Sequence, residues 1–471
     1  MKHEPRLEEG PWEGTREVMT MAGPIVMGSM SYVAMDFADK YMVAQLGTEP
    51  LAAIGSASIW SYILATVILG IIGCISTFVS QSIGKGEAAK AGSYTWQGFY
   101  ISLLAGVLAL LLWPITPYLF GLMGHAESTT RMEIAYFEIR LLGYLPFAWA
   151  TALSTFFQAI NRPAVPMYVM LVANVVNIGL NYALIYGHFG MPALGIAGAA
   201  WGTVASQFAQ AIVLHVWYLM PKYDRLYETR GSWRYHPHRF GELIRIGLPA
   251  GACHLLDVAT WGIFISFIVG RFGDAALAAN NAALSVMHIS FVPAIALNQA
   301  IAPIVGQWIG RGDIRRAKAR TYTAIKLGGI YMTVTGISFA IFGEPVIQIF
   351  TKDPEIVRLG WSLLIMAAIF QFSDSTNIVL MGALRGAGDT RWVMWATLIG
   401  AYVGFQPFAA FLALVYPGGP FWAWVGASIY LILLSGVLFK RFHGERWKDI
   451  QIFREENTAP VGLAPARQTA D

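Results

Sequence analysis

AMDFADKYMVAQLGTEPLAAIG, from Ala34 to Gly55, closes an apolar segment that starts near Val18 and opens the next one. It carries Asp36 and Asp39 at a depth where hydrocarbon offers a charge no solvation. An ionised carboxylate inside a bilayer costs about 2.5–3.5 kcal/mol even on the lenient insertion scale, so it faces a bundle interior or an aqueous cavity and marks an ion or substrate path. The stretch therefore reads as the end of a membrane-spanning helix built around functional acids.

The rest of the chain agrees with a membrane setting. Of 471 residues, 56% are hydrophobic and 13% charged, where soluble domains carry about 25% charged residues, and the mean hydropathy is +0.53. Crossing about 30 Å of hydrocarbon takes about 20 apolar residues. Twelve segments qualify, at 17–42, 51–80, 95–113, 133–160, 165–187, 195–220, 246–270, 276–308, 323–343, 357–384, 392–415 and 421–440. The fold class is an all-α polytopic membrane protein. Most Lys and Arg fall at the N-terminus, in the even-numbered loops and after Phe439, which puts both termini in the cytoplasm. The location is the inner cell membrane. The net charge of +4 sits in short loops rather than in a binding stripe, which excludes nucleic acid as a partner. Cys74 and Cys253 lie within apolar segments and form neither a disulfide framework nor metal-ligand spacing. The polar, mixed-charge N-terminus lacks the features of a signal peptide.

An internal repeat divides the chain. QLGTEPLAA at Gln45 to Ala53 matches RFGDAALAA at Arg271 to Ala279, and VSQSIGKGE at Val79 to Glu87 matches VGQWIGRGD at Val305 to Asp313, each pair 226 positions apart. Weak parallel repeats of this kind are a transporter signature. They predict two six-helix lobes facing each other across a cleft: a cytoplasmic segment 1–16, an N-lobe 17–220, a basic linker 221–245, a C-lobe 246–440 and a cytoplasmic tail 441–471, disordered from about Asn457.

These residues resemble the multidrug and toxic compound extrusion (MATE) transporters, in particular their NorM-like branch, over nearly the whole chain. Asp39 to Gly47 is similar to the family pattern D-x-x-x-V-G-x-L-G, with Ala44 in place of the first Gly; the two repeated loops, FTKDPEIV at Phe350 to Val357 and GALRGAGDTR at Gly382 to Arg391 also match. The resemblance implies a V-shaped pair of lobes that exports amphipathic cations in exchange for Na+ or H+ by alternating access, with no other cofactor. The expected partners are small amphipathic cations and the bilayer, and the expected state is a monomer.

Asp39 corresponds to the family's first-helix acid, which the resemblance makes a ligand of the coupling ion. Asp36 stands four residues before Lys40, so an i,i+4 pair is available; Lys40 departs from the family and would place a cation beside the acid. Asn174, Asn177 and Asn181 share one face of the fifth segment, and carboxamides in lipid need partners. Asn177 and Asn181 match the family pair around the first-helix acid. In the C-half, Asp257 stands where NorM-like members carry Glu, and Asp374 matches a second acid. The two are a candidate Na+ site, or share a proton as a coupled pair, although Phe370 replaces a family Tyr and removes an oxygen. Asn280 and Asn281 are neighbouring candidates. His254, one turn before Asp257, is a candidate proton relay. Tyr144, Gln158, Trp201 and Thr203 are candidate cavity residues, while Glu138, Arg140 and His288 read as structural. Pro24 and Pro249, at nearly equivalent repeat positions, are expected to bend their helices during transport.

Other classes were weighed on the same residues. A flippase for a lipid-linked precursor would line its cleft with Arg and Lys, whereas the intramembrane charges here are mainly acidic. A membrane-embedded enzyme finds no HExxH, GxSxG or paired His-rich segments, so no catalytic residues are assigned. A channel fits acids on repeat-related helices less well than alternating access does.

Overall fold

The computed structural model describes residues 12–416 and 419–454, apart from the side chain of Ile289, and every regular element among them is helical. In hydrocarbon only a helix satisfies its own backbone groups within one segment, so each apolar run folds this way. The N-terminal half contains α1 (Glu13–Ala44), α2 (Thr48–Gly73), α3 (Ile75–Gly84), α4 (Lys90–Leu110), α5 (Thr116–Gly121), α6 (Glu127–Leu142), α7 (Tyr144–Ala159), α8 (Ala164–Tyr186) and α9 (Ile196–Tyr218). After the short α10 (Pro221–Tyr227) come α11 (Pro237–Ile263), α12 (Asp274–Gly310), α13 (Ile314–Ile347), α14 (Pro354–Ala387), α15 (Thr390–Ile399), α16 (Gln406–Val415) and α17 (Pro420–His443). The linker 221–245 is thus partly helical, with α11 starting at Pro237, a residue pre-set for the first helical turn. Asn457 onward lies outside the described residues.

Ten helices among the described residues are long and apolar enough to cross a membrane. The fourth and sixth expected segments are helical too but do not reach that standard. The fourth is interrupted at Gly143 between α6 and α7 and carries Glu133, Glu138 and Arg140; the sixth, α9, carries Gln207, Gln210 and His215. The apolar criterion therefore supports ten crossings of the expected twelve.

The repeat is visible in backbone geometry. Gly47 and Gly273, 226 positions apart, precede α2 and α12 with φ of 129° and 89°, and Gly86 and Gly312 follow α3 and α12 with φ of 80° and 77°. Both pairs occupy conformations that L side chains avoid.

The two halves meet along α2 with α11 and α3 with α12. A Cβ on Gly70 would lie 2.4 Å from Gly251 Cα, and one on Gly84 would lie 2.8 Å from Gly310 Cα, so these crossings bring backbones into direct contact. The seam is reciprocal. Gln81 donates to the Gly386 carbonyl (3.0 Å), and its repeat mate Gln307 donates to the Ala159 carbonyl (2.7 Å). Beyond α17 the chain packs under this seam. Trp447 and Ile452 are buried, Phe453 stacks edge-on to Phe78 and Tyr94, and Arg454 N–H donates to Glu242 (2.6 Å). Lys318 donates to Glu445 (2.7 Å) and holds that carboxyl below its ordinary range.

Candidate functional site

The N-half site forms where α1, α8 and α9 pack together. Asp39 is 8% exposed. Its Oδ1 accepts from Asn181 Nδ2 at 2.6 Å, and Asn181 Nδ2 also reaches Asn177 Oδ1 at 3.3 Å. The Asn181 oxygen faces Gly202, where a Cβ would lie 1.9 Å away, and is buried without a hydrogen-bond partner among the described residues. An ionised carboxylate only accepts, so the amide presents its nitrogen to Asp39. Asn177 is held in turn by Thr203 and Ser206, both at 3.5 Å.

The second carboxylate oxygen is less well served. Asp39 Oδ2 has Thr203 Oγ1 at 3.5 Å, but the single Thr203 hydroxyl proton already goes to the Ala199 carbonyl at 2.9 Å. A buried carboxylate oxygen without a full-strength donor is costly. A proton or a small cation at Oδ2 would remove that cost.

The other N-half candidates separate around this centre. Asn174 points elsewhere and donates to Ser31 on α1 (2.7 Å). Asp36 pairs with Lys40 at 2.6 Å, both side chains nearly half exposed; the Lys40 ammonium is thus engaged by Asp36 rather than by Asp39. Tyr144 is buried and donates to the Ser61 carbonyl (2.6 Å). Trp201 is 41% exposed and Gln158 is half-buried. Arg140, read from the sequence as structural, lies in range of the Asp39 charge and beside Tyr136, Tyr32 and Tyr144. Its Nε and Nη1 are buried without a hydrogen-bond partner. A cation in the middle of an apolar segment was the signal for it.

In the C-half, Asp257 on α11 is exposed and Asp374 on α14 half-buried. Neither forms a hydrogen bond or ion pair among the described residues, and the charge of Asp257 acts on Asp374. Asn280 is fully buried and accepts from Trp424 Nε1 (3.0 Å), within the aromatic packing of Phe264, Phe370 and Trp424. Asn281 and His254 are exposed. No group of three or more His, Cys, Asp and Glu suited to a metal gathers among the described residues. Arg385, in the GALRGAGDTR stretch, donates to Asn298 (2.7 Å), a pairing that sequence spacing did not indicate. Near the C-half acids, α11 and α15 each lead into a widened turn, Phe264–Ile268 and Gly400–Phe405, a helical irregularity that recurs at functional sites.

The MatE family pattern matches residues 24–183 and 252–409. Among curated relatives, a probable multidrug resistance protein NorM from Pseudomonas syringae pv. tomato is 30% identical over 93% of this chain and 96% of its own length. The multidrug resistance protein PmpM from Pseudomonas aeruginosa is 28% identical, covering 88% of each. Among solved structures, an outward-facing multidrug resistance MATE family transporter superposes with a TM-score of 0.84 at 19% identity, over 92% of this chain and 95% of that one. A Vibrio cholerae MATE transporter in a bent form gives 0.82 at 18% identity, over 92% and 96%.

Proposed function

This chain belongs to the MatE family, as a multi-pass membrane transporter and not an enzyme, and from that premise we propose that it is a cation-coupled antiporter exporting amphipathic, mostly cationic drugs or toxic metabolites by alternating access. Twelve crossing helices, α2 with α3, α4 with α5, α6 with α7 and α15 with α16 each making one, would form an N-lobe over 17–220 and a C-lobe over 246–440 joined by 221–245. The termini are cytoplasmic, the membrane is the inner one and the protein acts as a monomer.

The observation that carries this reading is Asp39 Oδ2, buried and without a donor of its own. Entry of H+ or Na+ satisfies this oxygen, while an empty site leaves an unstabilised charge. Such a difference biases the lobe packing by the ion's differential affinity for the two states. Asn177, Asn181 and Thr203 position the carboxylate. Asp257 and Asp374, without partners among the described residues, attract the cationic cargo, and in its absence hold Na+ or share a proton. The Gln81/Gln307 seam, made once from each half, is the contact that opens when the transporter faces the other way.

Ethidium efflux from proteoliposomes under separate inward H+ and Na+ gradients tests this. One gradient drives efflux in the wild type, and Asp39→Asn abolishes it. Efflux that persists in Asp39→Asn under the same gradient contradicts the proposal.

A further inference from the structure

At the end of the molecule away from the Gln81/Gln307 seam, a cavity of about 620 Å³ opens between the start of α2 and the start of α6, a volume suited to a small organic ligand. Ala52, Ser56 and Trp60 line one side at helical spacing. Thr129 and Glu133 line the other, and Met123 and His125 close over them from the α5–α6 connection. Gly124, with φ of 72°, makes the turn that folds those two residues inward.

Glu133 forms the base of the cavity. It is fully buried; Oε1 is 2.9 Å from His125 Nδ1, and Oε2 is buried without a partner. No Lys or Arg pairs with it among the described residues, since Arg131 is taken by Glu127 at 2.5 Å. An anion buried this way calls for a positive charge. His125 is 41% exposed on its side chain, and in the neutral tautomer whose Nδ1–H faces the carboxylate at 2.9 Å its Nε2 is an acceptor.

We propose that this cavity is a second ligand site, for a protonated aromatic amine, distinct from the Asp39 centre and from Asp257 and Asp374. The ammonium donates to His125 Nε2 above the Glu133 charge. The ring packs against Trp60 and the Met123 thioether, contacts favourable to aromatic cations. Ser56, whose hydroxyl now reaches only Met123 Sδ at 3.8 Å, and Thr129 supply further polar contacts.

The test is equilibrium dialysis of tryptamine against the full-length protein in nanodiscs, without any gradient. An Asp39→Asn/Asp257→Asn/Asp374→Asn background removes the three acids of the transport reading, so the two readings succeed or fail separately. The expected result is that this background retains tryptamine binding, that Glu133→Gln weakens it about tenfold, as loss of the negative charge beneath the ammonium does, and that Ser56→Trp, which fills the cavity, does the same. Should Glu133→Gln fail to assemble, His125→Ala at its exposed position replaces it. Absence of tryptamine binding in the background, or binding unchanged by these substitutions, overturns the proposal.

Discussion

Asp39 and the Asp257/Asp374 pair sit in opposite halves of the chain and differ most in what surrounds them. Asp39 is enclosed, with Asn181 donating at 2.6 Å to one oxygen and its second oxygen lacking a full donor. Of the C-half acids Asp257 is exposed and Asp374 half-buried, and neither has a hydrogen bond or ion pair among the described residues. An enclosed acid has few ways to satisfy its charge, so occupancy by one small ion changes its energy strongly. An acid with no fixed partner leaves room for a larger cation to approach it. In the proposed function, ion coupling accordingly falls to the first and attraction of a bulky cation to the second.

Five substitutions sharpen or break this contrast, and they are ranked by expected effect on gradient-driven ethidium efflux. Asp39→Asn should reduce efflux to the rate of empty liposomes, since it removes the carboxylate to which Asn181 donates; residual coupled efflux would move coupling to the C-half. Gly202→Ala places a methyl 1.9 Å from Asn181 Oδ1 and turns the amide from Asp39, so efflux should fall about tenfold, in keeping with the loss of a charge-assisted hydrogen bond. A crystal structure or thermal melt of that variant separates this from misfolding.

Asp257→Asn and Asp374→Asn should each raise the ethidium concentration needed for half-maximal efflux about threefold, as weakening of a screened interaction does, with the maximal rate kept. A loss of maximal rate instead would place coupling in the C-half. Asp36→Asn should change efflux least and stability by at most about 0.5 kcal/mol, the scale of an exposed i,i+4 pair, measured by chemical denaturation in detergent.

The helices, the repeat and the acid pair were legible in the sequence because apolar runs, a constant offset and intramembrane charges are one-dimensional signals. The offset even located Gly47 and Gly273, whose positive φ values confirm equivalent turns. What the sequence could not supply was partner choice. Asn174, Asn177 and Asn181 share a helical face, yet only the last two gather near Asp39, while Asn174 bonds Ser31; which α1 residue meets which turn of α8 is decided by packing. Arg140 was visible as an intramembrane cation, but its place near Asp39 depends on how α6 lies against its neighbours. VSQSIGKGE and VGQWIGRGD were recognised as repeats, and their role as the two sides of one seam appeared only when Gln81 and Gln307 were seen bonding to the opposite half. The crossing count is likewise unequal to pattern alone, because the polar residues of α6 and α9 lower their hydropathy.

The most direct measurement is ethidium affinity for the purified protein with the driving ion, H+ or Na+, high and low, in wild type and Asp39→Asn. Linkage requires that an ion which drives export weaken cargo binding by the same coupling factor, typically about 5- to 150-fold. The account predicts such weakening in the wild type and none in Asp39→Asn. Equal ion dependence in both proteins, or none in the wild type, would contradict it.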